Sequence, residues 1–197
     1  MLILNLGAGK IDPILTKEEV TSFITTINLD TNYLSAATAS EIEDYIENKM
    51  PVSFNSNEKL YCNCNAFEFM EKFRPQVDRI CAYRFLEHIS FTQVLYFIYL
   101  VSTCIKKGGI VDIIVPNYEI LAKMILDEVI DQNFEANNIL LTTELLNEPS
   151  CPHASIWTPQ RAKHFWELEK RFKIIQEYPR YEFDGRNIYL RFLAKRV

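Results

Sequence analysis

Three groups of residues in this 197-residue chain could do chemistry. The first is Gly7-Ala8-Gly9, which directly follows the apolar run Leu2–Leu6. Glycines there allow positive φ and let a ligand lie against bare backbone. The second is Asp30, at the end of the apolar run Phe23–Leu29 and about 20 residues beyond the glycines, the spacing at which an acid meets a ribose. The third is the adjacent pair Glu87-His88, where a carboxyl and an imidazole could exchange a proton with a ligand. His153 stands apart, in a polar stretch where substrate contacts are expected. Cys62 and Cys64 share one face of a strand but lack a second pair at zinc spacing, so buried thiols are expected and no metal.

The elements needed to position these groups are legible. Leu2–Leu6 is too short for a helix and reads as a buried strand entering a tight turn. Asp12 stands where a dinucleotide fingerprint has its third glycine, and an acid there repels a pyrophosphate. The pattern therefore fits a nucleoside ligand with a cationic centre and no phosphate, such as S-adenosylmethionine, better than NAD or a nucleotide sugar. Pro13 restricts the start of the next helix. Thr38-x-x-Glu41 is a capping box for a helix ending before Pro51. Lys59–Cys62 reads as a strand, Ala66–Phe73 as a short helix, and Val77–Tyr83 as a strand with Asp78 at its mouth. Arg84–Ser90 is a turn.

The spacing of Val94, Leu95, Ile98, Val101 and Ile105 predicts a helix over Phe91–Lys107, terminated by Gly108-Gly109. A strand is expected at Ile110–Val115 and a helix at Tyr118–Ile130. Residues 131–157 read as an insertion or lid. Thr158-Pro159 caps a helix running to about Lys170. Two strands, Phe172–Tyr178 and Asn187–Ala194, pair antiparallel across Asp184-Gly185. Alternating strands and helices predict an α/β fold, a mostly parallel sheet with helices on both faces and an antiparallel C-terminal hairpin. Ligands on such sheets bind beyond the carboxyl ends of the strands.

Composition is that of a globular protein: 48% hydrophobic and 24% charged, with length for one domain. No apolar run reaches the ~18 residues that a membrane span needs. Met1 leads straight into the first strand, so a cytoplasmic location without a signal peptide is expected, with the five cysteines reduced. Net charge is −5, yet 10 of the 21 Lys/Arg and only 5 of the 26 Asp/Glu lie from Arg161 onward. Glu167, Glu169 and Glu182 interrupt that basic end, which argues against nucleic acid.

Three stretches, taken together, resemble the class I S-adenosylmethionine-dependent methyltransferases. They are Leu4-Asn-Leu-Gly-Ala-Gly9, Asp78-Arg-Ile-Cys-Ala-Tyr-Arg-Phe-Leu-Glu-His-Ile89 and Ile105-Lys-Lys-Gly-Gly-Ile-Val-Asp-Ile-Ile-Val-Pro-Asn117. Pro152-His153 with Trp157-Thr158-Pro159 is a weaker echo. The opening is most similar to a short branch frequent in phage and bacterial genomes. The resemblance implies a Rossmann-like seven-stranded sheet of order 3-2-1-4-5-7-6. It also implies site roles. Asn5, Gly7, Ala8 and Gly9 would line the cofactor, Asp30 would hold the ribose, and Asn65 with Ala66 would meet the adenine. Tyr83 would sit near the transferred methyl group. Glu87 and His88 are the candidates for proton transfer, and His153 and Trp157 for substrate contact. Glu87 would otherwise bond backbone amides. The methyl acceptor and the oligomeric state carry no signature. A binding or assembly protein that kept this fold without catalysis is the competing reading.

Overall fold

The computed structural model describes residues 1–7, 12–15, 24–29, 58–62, 64–127, 154–183 and 185–197. In chain order these form β1 (Leu2–Leu6), β2 (Thr25–Leu29), β3 (Glu58–Cys62), α1 (Ala66–Phe73), β4 (Val77–Tyr83), a 3-10 turn (Leu86–His88), α2 (Phe91–Cys104), β5 (Ile105–Pro116), α3 (Tyr118–Leu126), α4 (Pro159–Leu168), β6 (Phe172–Phe183) and β7 (Arg186–Arg196). The strands make one seven-stranded sheet of order β3-β2-β1-β4-β5-β7-β6. β1 to β5 run parallel; β7 is inserted antiparallel between β5 and β6. The expected sheet order and hairpin are therefore both present. The chain reverses its winding between β1 and β4, which opens a crevice beyond their carboxyl ends.

Every residue of β1 is buried, as expected of a strand covered on both faces. Alternation divides it: Leu2, Leu4 and Leu6 join the larger apolar cluster, and Ile3 joins the smaller. The larger cluster takes Phe69 of α1, Phe97 and Val101 of α2, and Phe165 and Trp166 of α4. The smaller takes Tyr83, Ile114, Leu121 and Tyr189.

Local chemistry sets the helix starts. Ser90 accepts from the Gln93 amide while the Gln93 side chain accepts from the Ser90 amide, a reciprocal box that begins α2. Thr158 caps α4 by accepting from the Arg161 amide, with Pro159 in the first turn, as read from the sequence. Helix α1 ends at Arg74, in the left-handed region, just before Pro75.

Three expectations need correction. Helix α2 stops at Cys104, and β5 begins at once at Ile105, paired with Val77. The pairing then shifts, so that Arg79 faces Ile110. Gly109 packs so closely here that a Cβ would lie 2.8 Å from the Asp78 carbonyl oxygen. Lys106 therefore lies in the strand and pairs with the Asp78 carboxylate at 2.7 Å. Asp78 itself lies at the amino end of β4 and accepts from the Leu2 amide, which places it at the opposite edge from the crevice. Finally, Leu95 is 49% exposed rather than on the buried face of α2, and Phe97 replaces it there. The capping box at Thr38 and the segment 131–153 lie outside the described residues.

Candidate functional site

The crevice is built from the ends of β1 and β4 and the turn that follows β4. Gly7 closes β1 with φ +59°, and its amide donates to the Leu29 carbonyl. A Cβ on Gly7 would lie 2.8 Å from Cδ2 of Phe85. Both the backbone conformation and this approach thus demand glycine. Gly7→Ala is expected to destabilise the fold by roughly 1–2 kcal/mol, mostly through the left-handed backbone. Denaturant midpoints would show it, and a second substitution, Phe85→Leu, should recover only the steric part.

Arg84, immediately after β4, also has positive φ (+54°), and its amide donates to the Ile114 carbonyl. A non-glycine residue there is uncommon and marks a chain held in place by its surroundings. The 3-10 turn follows, pinned by residues 154–157. The Ala154 and Ser155 amides both donate to the Glu87 carbonyl, at 2.6 and 3.1 Å. The Ser155 hydroxyl donates to the Leu86 carbonyl, and the Trp157 indole donates to that hydroxyl. The Trp157 carbonyl in turn accepts from the Tyr118 amide at the start of α3. A strap over residues 154–157 thus ties the ends of β4 and β5 together.

Glu87 is the most unusual group in this assembly. It is fully buried, and among the described residues neither carboxyl oxygen has a hydrogen-bond partner. The backbone amides read as its partners do not bond it. Burial pushes its pKa up to about 8, against weaker pulls from its own amide and from Arg84. Burial also raises the phenol of Tyr118, to about 12, and the nearby Glu87 carboxyl adds to that rise. His88 is half-buried next to it.

Several candidate residues turn out to serve the framework. The Asn5 side chain donates to the Asn28 amide oxygen at 2.9 Å, and Asn28 donates on to the Leu60 carbonyl. Asn5 therefore spans β1 and β2 inside the sheet. Asn65 caps α1, its side-chain oxygen accepting from the Phe67 and Glu68 amides. The side-chain oxygen is thus engaged at the helix start, and Ala66 is buried in the first turn. Tyr83 ends β4 as expected, but its hydroxyl donates to Asp112 at 2.6 Å and accepts from the Ile14 amide. The Tyr83 ring belongs to the cluster on the other face, so only its backbone reaches the crevice edge. Trp157 is core, set edge-on to Phe165 at 5.6 Å, and not a wall for substrate. Ala8, Gly9, Asp30 and His153 lie outside the described residues.

No protein-family model matches the chain, and no curated protein does. Solved structures do. A methyltransferase described as S-adenosylmethionine-dependent, from Methanosarcina mazei, is 16% identical with a TM-score of 0.55, covering 100% of this chain and 92% of that one. The 1,6-didemethyltoxoflavin N1-methyltransferase of Burkholderia thailandensis, solved with S-adenosylhomocysteine, is 10% identical with a TM-score of 0.55, covering 100% and 71%. The magnesium protoporphyrin IX methyltransferase of Synechocystis, also with S-adenosylhomocysteine, is 8% identical with a TM-score of 0.55, covering 100% and 74%. This chain has the fold of the class I S-adenosylmethionine-dependent methyltransferases.

In this methyltransferase fold the inserted antiparallel β7 separates the sheet from the dinucleotide-binding order 3-2-1-4-5-6. Asp12, at the position of the missing third glycine, pairs with Lys59 of β3 at 2.8 Å on the surface. Two features of the site escaped sequence reasoning. The pairing of Gly7 with Phe85 joins residues far apart in the chain. The proximity of Tyr118 to Glu87 had only a faint signal, since both follow strand ends. Among the described residues no helix is long and apolar enough to cross a membrane.

Proposed function

We propose that this protein binds S-adenosylmethionine in the crevice beyond β1 and β4 and transfers its methyl group to an acceptor. The observation that carries this reading is the sheet order with its antiparallel β7, joined to a glycine of positive φ at the switch point. The residues present fit that cofactor. Gly7 offers bare backbone, and Glu87 is an orphaned acid beside the crevice, suited to a ligand that carries a positive charge.

Gly7 and Gly9 would lie under the methionine part of the ligand, with Asn5 and Ala8 as neighbours. Asp30, next after the last residue of β2, would accept from the ribose hydroxyls. Asn65 would meet the adenine through its amide nitrogen, beside Ala66. When bound, the cofactor supplies a methyl group on a positively charged sulfur, open to in-line displacement. The chain's part is then alignment, exclusion of water and the handling of one proton. Glu87 and His88 are the groups for the proton, and Tyr83 lends backbone at the strand end. Residues 131–157, which include His153, would select the acceptor.

Calorimetry with S-adenosylmethionine, S-adenosylhomocysteine and NAD tests the reading. Micromolar binding of the first two and none of NAD is expected. Asp30→Ala should weaken that binding by at least tenfold, about 1.4 kcal/mol or more, since a carboxylate on two hydroxyls is lost. Binding of NAD alone, or unchanged affinity in Asp30→Ala, would overturn it.

A further inference from the structure

We propose that Glu87 is the counter-charge for the cationic sulfur of the ligand and so distinguishes S-adenosylmethionine from the neutral S-adenosylhomocysteine. The proposal rests on the cofactor reading above and deepens it.

Its basis is geometric. A fully buried carboxyl with neither oxygen hydrogen-bonded is costly and rare, and calls for a partner that the described residues do not supply. The residue sits in the turn directly beyond β4, one side of the switch point; Gly7 ends the neighbouring strand on the other side. The backbone around it is fixed. The strap over residues 154–157 holds the Glu87 carbonyl by two amides, and Phe85 packs against Gly7. The backbone that carries the carboxyl is therefore fixed, and the carboxyl itself is out of solvent.

Among the described residues, the groups around it do not supply the missing partner. Arg84 from the end of β4 attracts it only weakly, and Tyr118 from α3 is a neutral phenol. His88 is its neighbour in the turn, and from the strap come Ser155 and Trp157, both neutral and bonded to each other. Burial outweighs these influences, so in the free protein near neutral pH the carboxyl holds its proton. Entry of a sulfonium changes the balance. The carboxyl gives its proton to solvent, and carboxylate and sulfonium neutralise each other in a site with little water. A neutral thioether provides no such drive. After methyl transfer the ligand has lost its charge, the carboxyl takes a proton back, and the product is held less tightly.

The test uses the whole chain and both ligands, titrated at pH 7 in buffers of different ionisation enthalpy. Close to one proton should be released per S-adenosylmethionine bound, and almost none per S-adenosylhomocysteine. In Glu87→Gln the two ligands should release alike, and the preference for the charged ligand should fall by about tenfold. A second measurement varies the pH. The affinity ratio of charged to neutral ligand in the unaltered protein should rise with pH, by up to about tenfold per unit, and level off above about 8. The α-amino group titrates differently beside a sulfonium and beside a thioether, so the same ratio in Glu87→Gln is the reference, and the pH dependence that remains after its subtraction belongs to Glu87. Equal proton release for both ligands, or a ratio that follows pH between 6 and 9 as it does in Glu87→Gln, overturns the proposal while leaving cofactor binding intact. Failure of both ligands to bind overturns the cofactor reading itself, and this proposal with it.

Discussion

Asp112→Ala is expected to cost about 3–5 kcal/mol of stability, the largest loss of any single change considered. Asp112 lies on β5 and is fully buried. Its carboxylate accepts from Arg79 of β4, from Nε and Nη2 of Arg191 of β7 at 3.0 and 2.8 Å, and from the Tyr83 hydroxyl. Arg79 is 1% exposed and Arg191 8%. Removing the carboxylate leaves two guanidinium groups in the sheet without their shared anion, and neither can shed its charge. Burial opposes the charge on Arg191, and the bond to Asp112 together with the attraction of Asp112, Tyr83 and Tyr181 more than offsets that opposition. For a chain of this size the loss corresponds to about 10 °C in melting temperature. Arg191→Met should cost less, because it leaves Arg79 and Asp112 as a neutral pair. The ring of Tyr181, 5.0 Å from the guanidinium, would keep contact with the methionine side chain. A loss under about 1 kcal/mol in Asp112→Ala, or the reverse order of the two variants, would show that the cluster does not carry the stability assigned to it.

Glu87→Gln, by contrast, is expected to stabilise the protein at alkaline pH. The folded state raises this carboxyl from its ordinary 4.5 to about 8. Between those values the folded chain holds a proton that the unfolded chain has released. Stability of the unaltered protein therefore falls as pH rises through that window, then becomes level above about 8. Glutamine does not titrate and lacks this slope. The difference between the two proteins should grow by a few kcal/mol from pH 5 to pH 8, in favour of the variant. Urea midpoints at pH 5, 6.5 and 8 measure it, and subtracting one curve from the other removes every titration the two share. Parallel curves would mean that the carboxyl is already compensated, and the argument for its role toward a cationic ligand would fall as well. A protein that keeps a buried acid without a hydrogen-bond partner among the described residues forgoes stability there, a frequent mark of a residue retained for a ligand.

The parts of the fold that could be read from the sequence are those whose causes lie within a few residues. Leu2–Leu6 is a strand because a short apolar run meets a glycine, and Thr158-Pro159 starts a helix because a hydroxyl and a preset φ suffice. The hairpin of β6 and β7 follows from two apolar runs around Gly185, which has φ +72°. The boundary between α2 and β5 was misread for a reason of the same kind. Lys106-Lys107-Gly108-Gly109 has the composition of a helix end, and locally nothing contradicts that. What moves the boundary is distant: Val77 pairs with Ile105, and Asp78 receives both Lys106 and the close approach of Gly109.

The succession of strands and helices along the chain, the glycine turn and the place of Glu87 beyond the fourth strand were determined by the sequence alone, because periodicity, caps and punctuation act within one or two turns of chain; the order of strands within the sheet was implied by the family resemblance. The tertiary structure decided which side chains are available. Tyr83 and Asn5 lost their polar groups to partners on other strands, and Trp157 went into the core. Asp112 gained a guanidinium 79 positions away. Glu87 was left buried, with neither oxygen hydrogen-bonded among the described residues. A side chain's charge and hydrogen bonds depend on what folding brings beside it, and those neighbours are not adjacent in the chain.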